Sequence, residues 1–339
     1  MKLRGVLASV LLAAAVAFPA FGFDFTDDLG AKASWQASPT KVAPSGKIAQ
    51  QMMLIFDKTK LVGLSGKLSD KLAKFFDLDT SKMVEFGQFY GGKASFNPEV
   101  VLNAGADLIL DMGEAKKTIK EDLAGLTQKS GIPALFIKAT LTDMDSAFRR
   151  MGELFQNKER GEELARYAEE LYAYAAERKE AMAKAPTVYF ALGDDGLSTN
   201  ARGSFHAQVL DLVGAVNAAD VEFSSKGAGT QVSMEQLINW QPGWVITESK
   251  EVYDLVTSDG AWKALDAVKE GRVALIPSTP YNAVLNPPSS NRLIGIYWLG
   301  NLIAPEIYNF DMTEKMAQFL KLFYGADLPK EEVEKILGK

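Results

Sequence analysis

Asn97–Asp111 reads NPEVVLNAGADLILD, and Ser233–Thr247 reads SMEQLINWQPGWVIT. Aligned without a gap, each copy opens on a residue type that caps helices, Asn97 or Ser233. A glutamate follows two residues on (Glu99, Glu235), and Asn103 meets Asn239. An apolar helical face then gives way to a short apolar run, Leu108-Ile109-Leu110 in the first copy and Trp244-Val245-Ile246 in the second. Each copy therefore predicts a capped helix feeding a buried strand. The offset from Glu99 to Glu235 is 136 residues, too long for a solenoid repeat, so it implies two similar lobes. Two matched lobes enclose one cleft, which is an architecture for binding.

The 339 residues have room for two α/β lobes, each with its own core. At 47% hydrophobic and 24% charged, the composition is that of an ordinary globular protein. Lys2 and Arg4 precede an apolar run, Gly5 to Ala17, that is short for a membrane span, and Ala20-Phe21-Gly22 offers small residues for a signal peptidase. Residues 1–22 are expected to be a cleavable signal peptide, with export to the periplasm. The chain has no cysteine, which excludes disulfides and a lipidated cysteine at the cleavage site. Loss of Lys2 and Arg4 would take the net charge from −6 to −8, a poor balance for binding nucleic acid.

The first lobe is expected over residues 23–141. It holds a strand at Lys41-Val42-Ala43, a helix from Ile48 to Phe56, and strands at Leu61–Leu64, Met83–Phe86 and Pro133–Ile137. Residues 142–185 are rich in helix formers. Leu164, Tyr167, Ala168, Leu171 and Ala175 recur at helical spacing, and from Lys158 the helix would run about 40 Å. The second lobe, 186–339, repeats the plan with strands at Thr187–Ala191 and Arg272–Pro277 and a helix from Asn291 to Leu302. No Gly/Ser-rich linker intervenes, so the helix is the domain boundary. The fold class is α/β: two Rossmann-like lobes with central, mostly parallel sheets, joined by one long helix, the ligand cleft between them.

Val268-Lys269-Glu270-Gly271-Arg272-Val273, the run Pro287-Pro288-Ser289-Ser290-Asn291-Arg292-Leu293-Ile294-Gly295, and Tyr297-Trp298-Leu299 resemble the closing segment of the helical-backbone (class III) substrate-binding proteins of ABC importers. Thr26-Asp27-Asp28-Leu29-Gly30 is similar to the family's entry hairpin. The resemblance covers the mature chain and implies a monomeric periplasmic protein that delivers a metal complex to a membrane permease. An iron–siderophore is the first expectation, with haem, a corrinoid, or a molybdate- or tungstate-like oxyanion as alternatives. It further implies that Glu99 and Glu235 dock into basic pockets of the permease. The carboxylate of each would also be stabilised at a helix N-terminus.

Ligands of such folds bind where loops after the strand ends face each other. The first lobe then offers Ser45, Tyr90 and Lys93, and the second Arg202, His206, Tyr281, Asn282 and Asn286. Lys93 and Arg202 are candidate anion contacts, Arg with a bidentate geometry. Tyr90 and Tyr281 are candidates to stack on a chelate or ligate iron. The plainer alternatives are a solvated Lys93, an Arg202 that ties its own turn together, a His206 on a helix face and an Arg292 that serves as scaffold. Many siderophore binders of this group carry a Trp in the loop before the Pro-Pro-Ser run. Here it reads Tyr281-Asn282-Ala283-Val284-Leu285-Asn286, more polar and less aromatic at its tip, which leaves room for a smaller or more hydrophilic ligand.

An enzyme finds no support: no G-x-G-x-x-G follows a strand, no Walker sequence is present, and the single histidine would be the only imidazole base. No cofactor is called for. One histidine also falls short of the several that bare Zn²⁺ or Mn²⁺ binding needs. A sensor or interaction protein with the same fold would keep the cleft without needing both docking glutamates.

Overall fold

The computed structural model describes residues 22–90, 95–222 and 229–339. Residues 1–21 of the expected signal peptide and Lys93 lie outside the described residues. Both repeat copies form the predicted unit. The first is the helix Pro98–Asn103 followed by the strand Leu108–Gly113, and the second the helix Met234–Trp240 followed by the strand Trp244–Thr247. Asn97 Oδ1 accepts from the amides of Glu99 (3.0 Å) and Val100 (3.3 Å). Ser233 and Gln236 make a reciprocal capping box, at 3.2 and 2.9 Å.

In the first lobe Leu108–Gly113 is the central strand of a parallel trio with Val42–Pro44 and Ala134–Lys138. All six of its residues are buried, as a strand covered on both faces requires. A parallel pair, Gly63–Leu64 and Val84–Glu85, continues the sheet through a bridge between Val42 and Leu61. The second lobe has four parallel strands in the order Val216–Asn217, Thr187–Phe190, Trp244–Thr247, Val273–Leu275. The entry segment is an antiparallel hairpin of Phe23–Thr26 and Lys32–Trp35, whose Asp27 carboxylate accepts from the Phe136 amide at 2.9 Å.

The linking helix is Lys158–Ala181. Its N-terminal turn lies against the helix Met144–Leu154 at a glycine pair: a Cβ on Gly161 would stand 2.7 Å from the Phe148 carbonyl oxygen and 3.0 Å from the Cα of Gly152. One continuous core passes from Leu135 of the first lobe through Phe148, Leu164, Ala168 and Leu171 of the linking segment to Val188 and Leu293 of the second. Each lobe keeps a satellite core, around Ile109 and Phe136 and around Val245 and Trp262.

The chain also crosses back. The helix Met312–Tyr324 falls in the segment that the sequence groups with the second lobe, yet it packs on the first. Tyr324 lies 5.7 and 5.4 Å from Phe75 and Phe76, and Phe323 lies 5.8 Å from Phe148 of the linking segment. Arg160 of the linking helix clamps both parts, donating to the carbonyls of Ile55 (3.0 Å) and Leu322 (2.8 Å). Two helical connections, rather than one, therefore hold the lobes. Gly161→Ala should lower stability by about 1–3 kcal/mol through overpacking, against the helix propensity gained. A urea midpoint no lower than that of the parent would show that the two helices separate freely.

Candidate functional site

A cleft of about 1210 Å³ opens between the lobes, where the parallel strands of each finish. Its first-lobe wall begins at Ser45 and Gly46, directly after the strand Val42–Pro44. They lead into the helix Lys47–Asp57, whose N-terminus no side chain caps. Uncapped amides and the helix dipole favour negative charge at that point. Gln50 of the same helix holds the neighbouring loop, accepting from the Ser65 amide (2.7 Å) and donating to the Gly66 carbonyl (3.2 Å). Lys67 lines the same cleft as Lys47.

The floor of this wall is Asp111, the last residue of the first repeat copy. It is 8% exposed and accepts a hydrogen bond from the Ser45 hydroxyl. Burial pushes its carboxyl up to about 6, against the opposing pull of the Ser45 bond and of Lys116. Lys116 lies over the face of Tyr90, 3.5 Å from the ring centroid, and Phe89 meets the same ring edge-on at 4.8 Å. The Tyr90 hydroxyl donates to Asp122 at 2.9 Å, and burial with that carboxylate raises the phenol above its ordinary value. Burial does the same to Tyr281, which packs on Phe76 at 6.2 Å. Both phenols are held neutral, which suits stacking and hydrogen bonding better than phenolate ligation.

The facing wall comes from Gly203–His206 and from the loop Tyr281–Pro288. The Ser204 hydroxyl has no hydrogen-bond partner among the described residues. His206 is depressed by burial and by nearby Arg292, so its ring is neutral at pH 7. Arg292 supports this wall from behind. Fully buried, it donates to the Phe205 carbonyl at 2.8 Å and stacks 4.9 Å from the Phe205 ring. Burial lowers its guanidinium to about 9, and among the described residues no carboxylate pairs with it. A buried cation of this kind is costly, and its contacts position the Phe205 segment at the cleft.

The structure thus brings Ser45, Tyr90, His206, Tyr281 and Asn286 to one cleft. It does not bring Arg202 there. That side chain turns away to the Asn217 carbonyl (2.8 Å) and to Asp220 (2.6 Å), tying its own loop together. Asn282 stands behind the wall, bonding Glu248 at 2.9 Å and accepting from the amides of Val284 and Leu285. Reading the sequence missed Asp111, Lys47, Lys67 and Lys116. Asp111 was the residue best placed to be found, since a carboxylate interrupts an otherwise apolar buried strand. Glu99 and Glu235 lie outside the cleft, exposed, with no ion-pair partner among the described residues.

Residues 88–280 match the family described as periplasmic binding protein. The chain belongs to that family. An ABC transporter solute-binding protein from Sulfurospirillum deleyianum is similar over 94% of this chain and 99% of its own, with 26% identity and a TM-score of 0.83. The molybdate periplasmic binding protein MolA of Haemophilus influenzae aligns over 90% and 99%, with 21% identity and a TM-score of 0.68. Helicobacter pylori CeuE in its nickel–histidine complex aligns over 93% and 99%, with 17% identity and a TM-score of 0.66. No curated protein matches by sequence. The family is a group of solute binders of ABC transporters rather than enzymes. No helix among the described residues is long and apolar enough to cross a membrane.

Asp111 is a cost to this periplasmic binding protein at neutral pH. Its folded value lies above the unfolded one of 3.8, so its contribution to stability is complete below that value and is lost as pH rises through about 6. Asp111→Asn should therefore stabilise the free protein at pH 7 by up to about 3 kcal/mol, with the gain fading towards about pH 4. Urea unfolding at both pH values checks this. A gain independent of pH would mean that the carboxyl is not buried as described.

Proposed function

We propose that this protein is exported by its leader, captures an anionic metal chelate in the inter-lobe cleft, and delivers it to an ABC-type permease. An iron–siderophore complex is the first candidate. The observation that carries the reading is the wall of three lysines, Lys47, Lys67 and Lys116, beside an uncapped helix N-terminus. Together they outnumber the acidic groups Asp111 and Glu114 on the same wall. Convergent ammonium groups attract an anion and hasten its capture. The size of the cleft favours a chelate over a bare tetrahedral oxyanion such as the one bound by the Haemophilus protein. Tyr281 and Phe205 offer aromatic surface for the organic part. Ser204, Asn286 and neutral His206 offer hydrogen bonds, and Ser45 with Asp111 completes the polar floor. Lys93 remains a candidate contact on the same lobe. Glu99 and Glu235 would dock each lobe onto the permease, the two glutamates meeting basic pockets.

Haem is the second reading, favoured by the aromatic group of Phe76, Tyr281 and Tyr324 behind the cleft. The lysine wall argues for the hydrophilic anion instead.

Titration of intrinsic tryptophan fluorescence with ferric siderophores distinguishes the residues. Lys116→Gln should weaken binding by about 1–2 kcal/mol, less so at high salt. Arg202→Ala should leave the dissociation constant unchanged, because its side chain is engaged outside the cleft. The reverse ranking would remove the lysine wall from the site.

A further inference from the structure

Among the described residues the exposed large hydrophobics are Val84, Leu102, Val216, Ile238 and Leu275. Three of them, Val84, Val216 and Leu275, sit on edge strands, where one side of the sheet ends. Leu102 and Ile238 do not. Both are on helices, 55% and 41% exposed, and they occupy the same position of the two repeat copies. Each lies three residues after its lobe's glutamate and is followed by asparagine. The pattern Glu-x-x-(Leu/Ile)-Asn therefore appears once per lobe, as Glu99-Leu102-Asn103 and Glu235-Ile238-Asn239.

Residues three and four apart share a helix face, so each trio is one patch. The order of burial is identical in the two copies from Asn97 to Ala104 and from Ser233 to Trp240, with Val101 and Leu237 pointing inward. Only glutamate and asparagine are identical between the fifteen-residue copies, and both are exposed. A lone surface leucine needs no explanation. Its recurrence beside the same two polar groups on the other lobe does.

The patches also hold equivalent places in their lobes. Asn97 N donates to the Phe86 carbonyl just beyond the strand Val84–Glu85, and Val232 N donates to the Leu197 carbonyl beyond the strand Thr187–Phe190. Both helices thus start at the ends of their lobes where strands finish, the ends that flank the cleft.

We infer that Leu102 and Ile238, each between the glutamate and the asparagine of its patch, are apolar docking contacts for the two halves of a two-fold-symmetric ABC permease. This rests on the delivery role proposed above, and adds to it the chemistry of the receiving surface. Each half presents a cation for the carboxylate and, one helical turn along, an apolar hollow for Leu102 or Ile238, rimmed by groups that bond the asparagine amide. Carboxylates with no ion-pair partner among the described residues select a cationic receptor and disfavour an anionic lipid surface. The duplication selects a partner with two equivalent sites.

The chain has no cysteine, so Lys339→Cys carries a single fluorophore for titration onto right-side-out spheroplast membranes from cells lacking this protein. Leu102→Ala with Ile238→Ala should weaken saturable binding about tenfold or more while keeping its salt dependence. Glu99→Gln with Glu235→Gln should weaken it and flatten that dependence. Neither pair should lower the melting temperature. Leu102→Cys and Ile238→Cys, each bearing a benzophenone, should both crosslink to an ABC permease subunit identified by mass spectrometry. Wild-type binding by the alanine pair with loss in the glutamine pair would overturn the inference and leave glutamate docking standing. No effect from either pair would overturn both. Crosslinks solely to lipid or to a second copy of this chain would overturn the inference as well.

Discussion

The burial of one helix face against two lobes at once governs the rest of the molecule. Leu164, Ala168, Leu171 and Ala175 of the linking helix sit in a core shared by first-lobe and second-lobe residues, and the Gly152–Gly161 approach lets the neighbouring helix close over them. Opening the lobes widely would expose part of that core, at about 25 cal/mol for each Å² of apolar surface. The returning helix Met312–Tyr324 adds a second tie through Phe323 and Tyr324. Lobes held in this way resist a wide hinge swing.

That stiffness allows the cleft to hold groups that do not favour the free fold. Asp111 is buried as a carboxyl with Ser45, and Arg292 is buried as a cation behind Phe205 without a carboxylate. Both would be costly in a core with no further task. Each lies beside or beneath a wall of the cleft, where a rigid frame can keep polar groups oriented for a ligand. The lysines are the opposite kind of group, exposed on the cleft wall, where positive charge favours an anion.

Local signals made much of this readable from the sequence. Asn97 and Ser233 declare helix starts, the all-apolar strand Leu108–Leu110 declares burial, and the helical spacing from Leu164 to Ala175 declares the link. What was not readable is long-range. Arg202 looks available for an anion until Asp220 and the Asn217 carbonyl, 18 and 15 residues on, fold against it. Tyr324 belongs by position to the second lobe, and only its contacts with Phe75 and Phe76 show that it braces the first. Lys47, Lys67 and Lys116 lie up to 69 residues apart and become one wall only after the sheet is built.

A thermal-shift panel of the mature protein tests the central claim most directly, using ferric siderophores, haem, cobalamin, molybdate and tungstate. A ligand at a hundred times its dissociation constant stabilises the fold by about 2.7 kcal/mol, a clear rise in melting temperature. The lysine-walled cleft predicts that rise with an anionic ferric chelate, and its loss when Lys47, Lys67 and Lys116 are replaced together by glutamine. A shift produced by haem alone, unchanged in the triple variant, would contradict it.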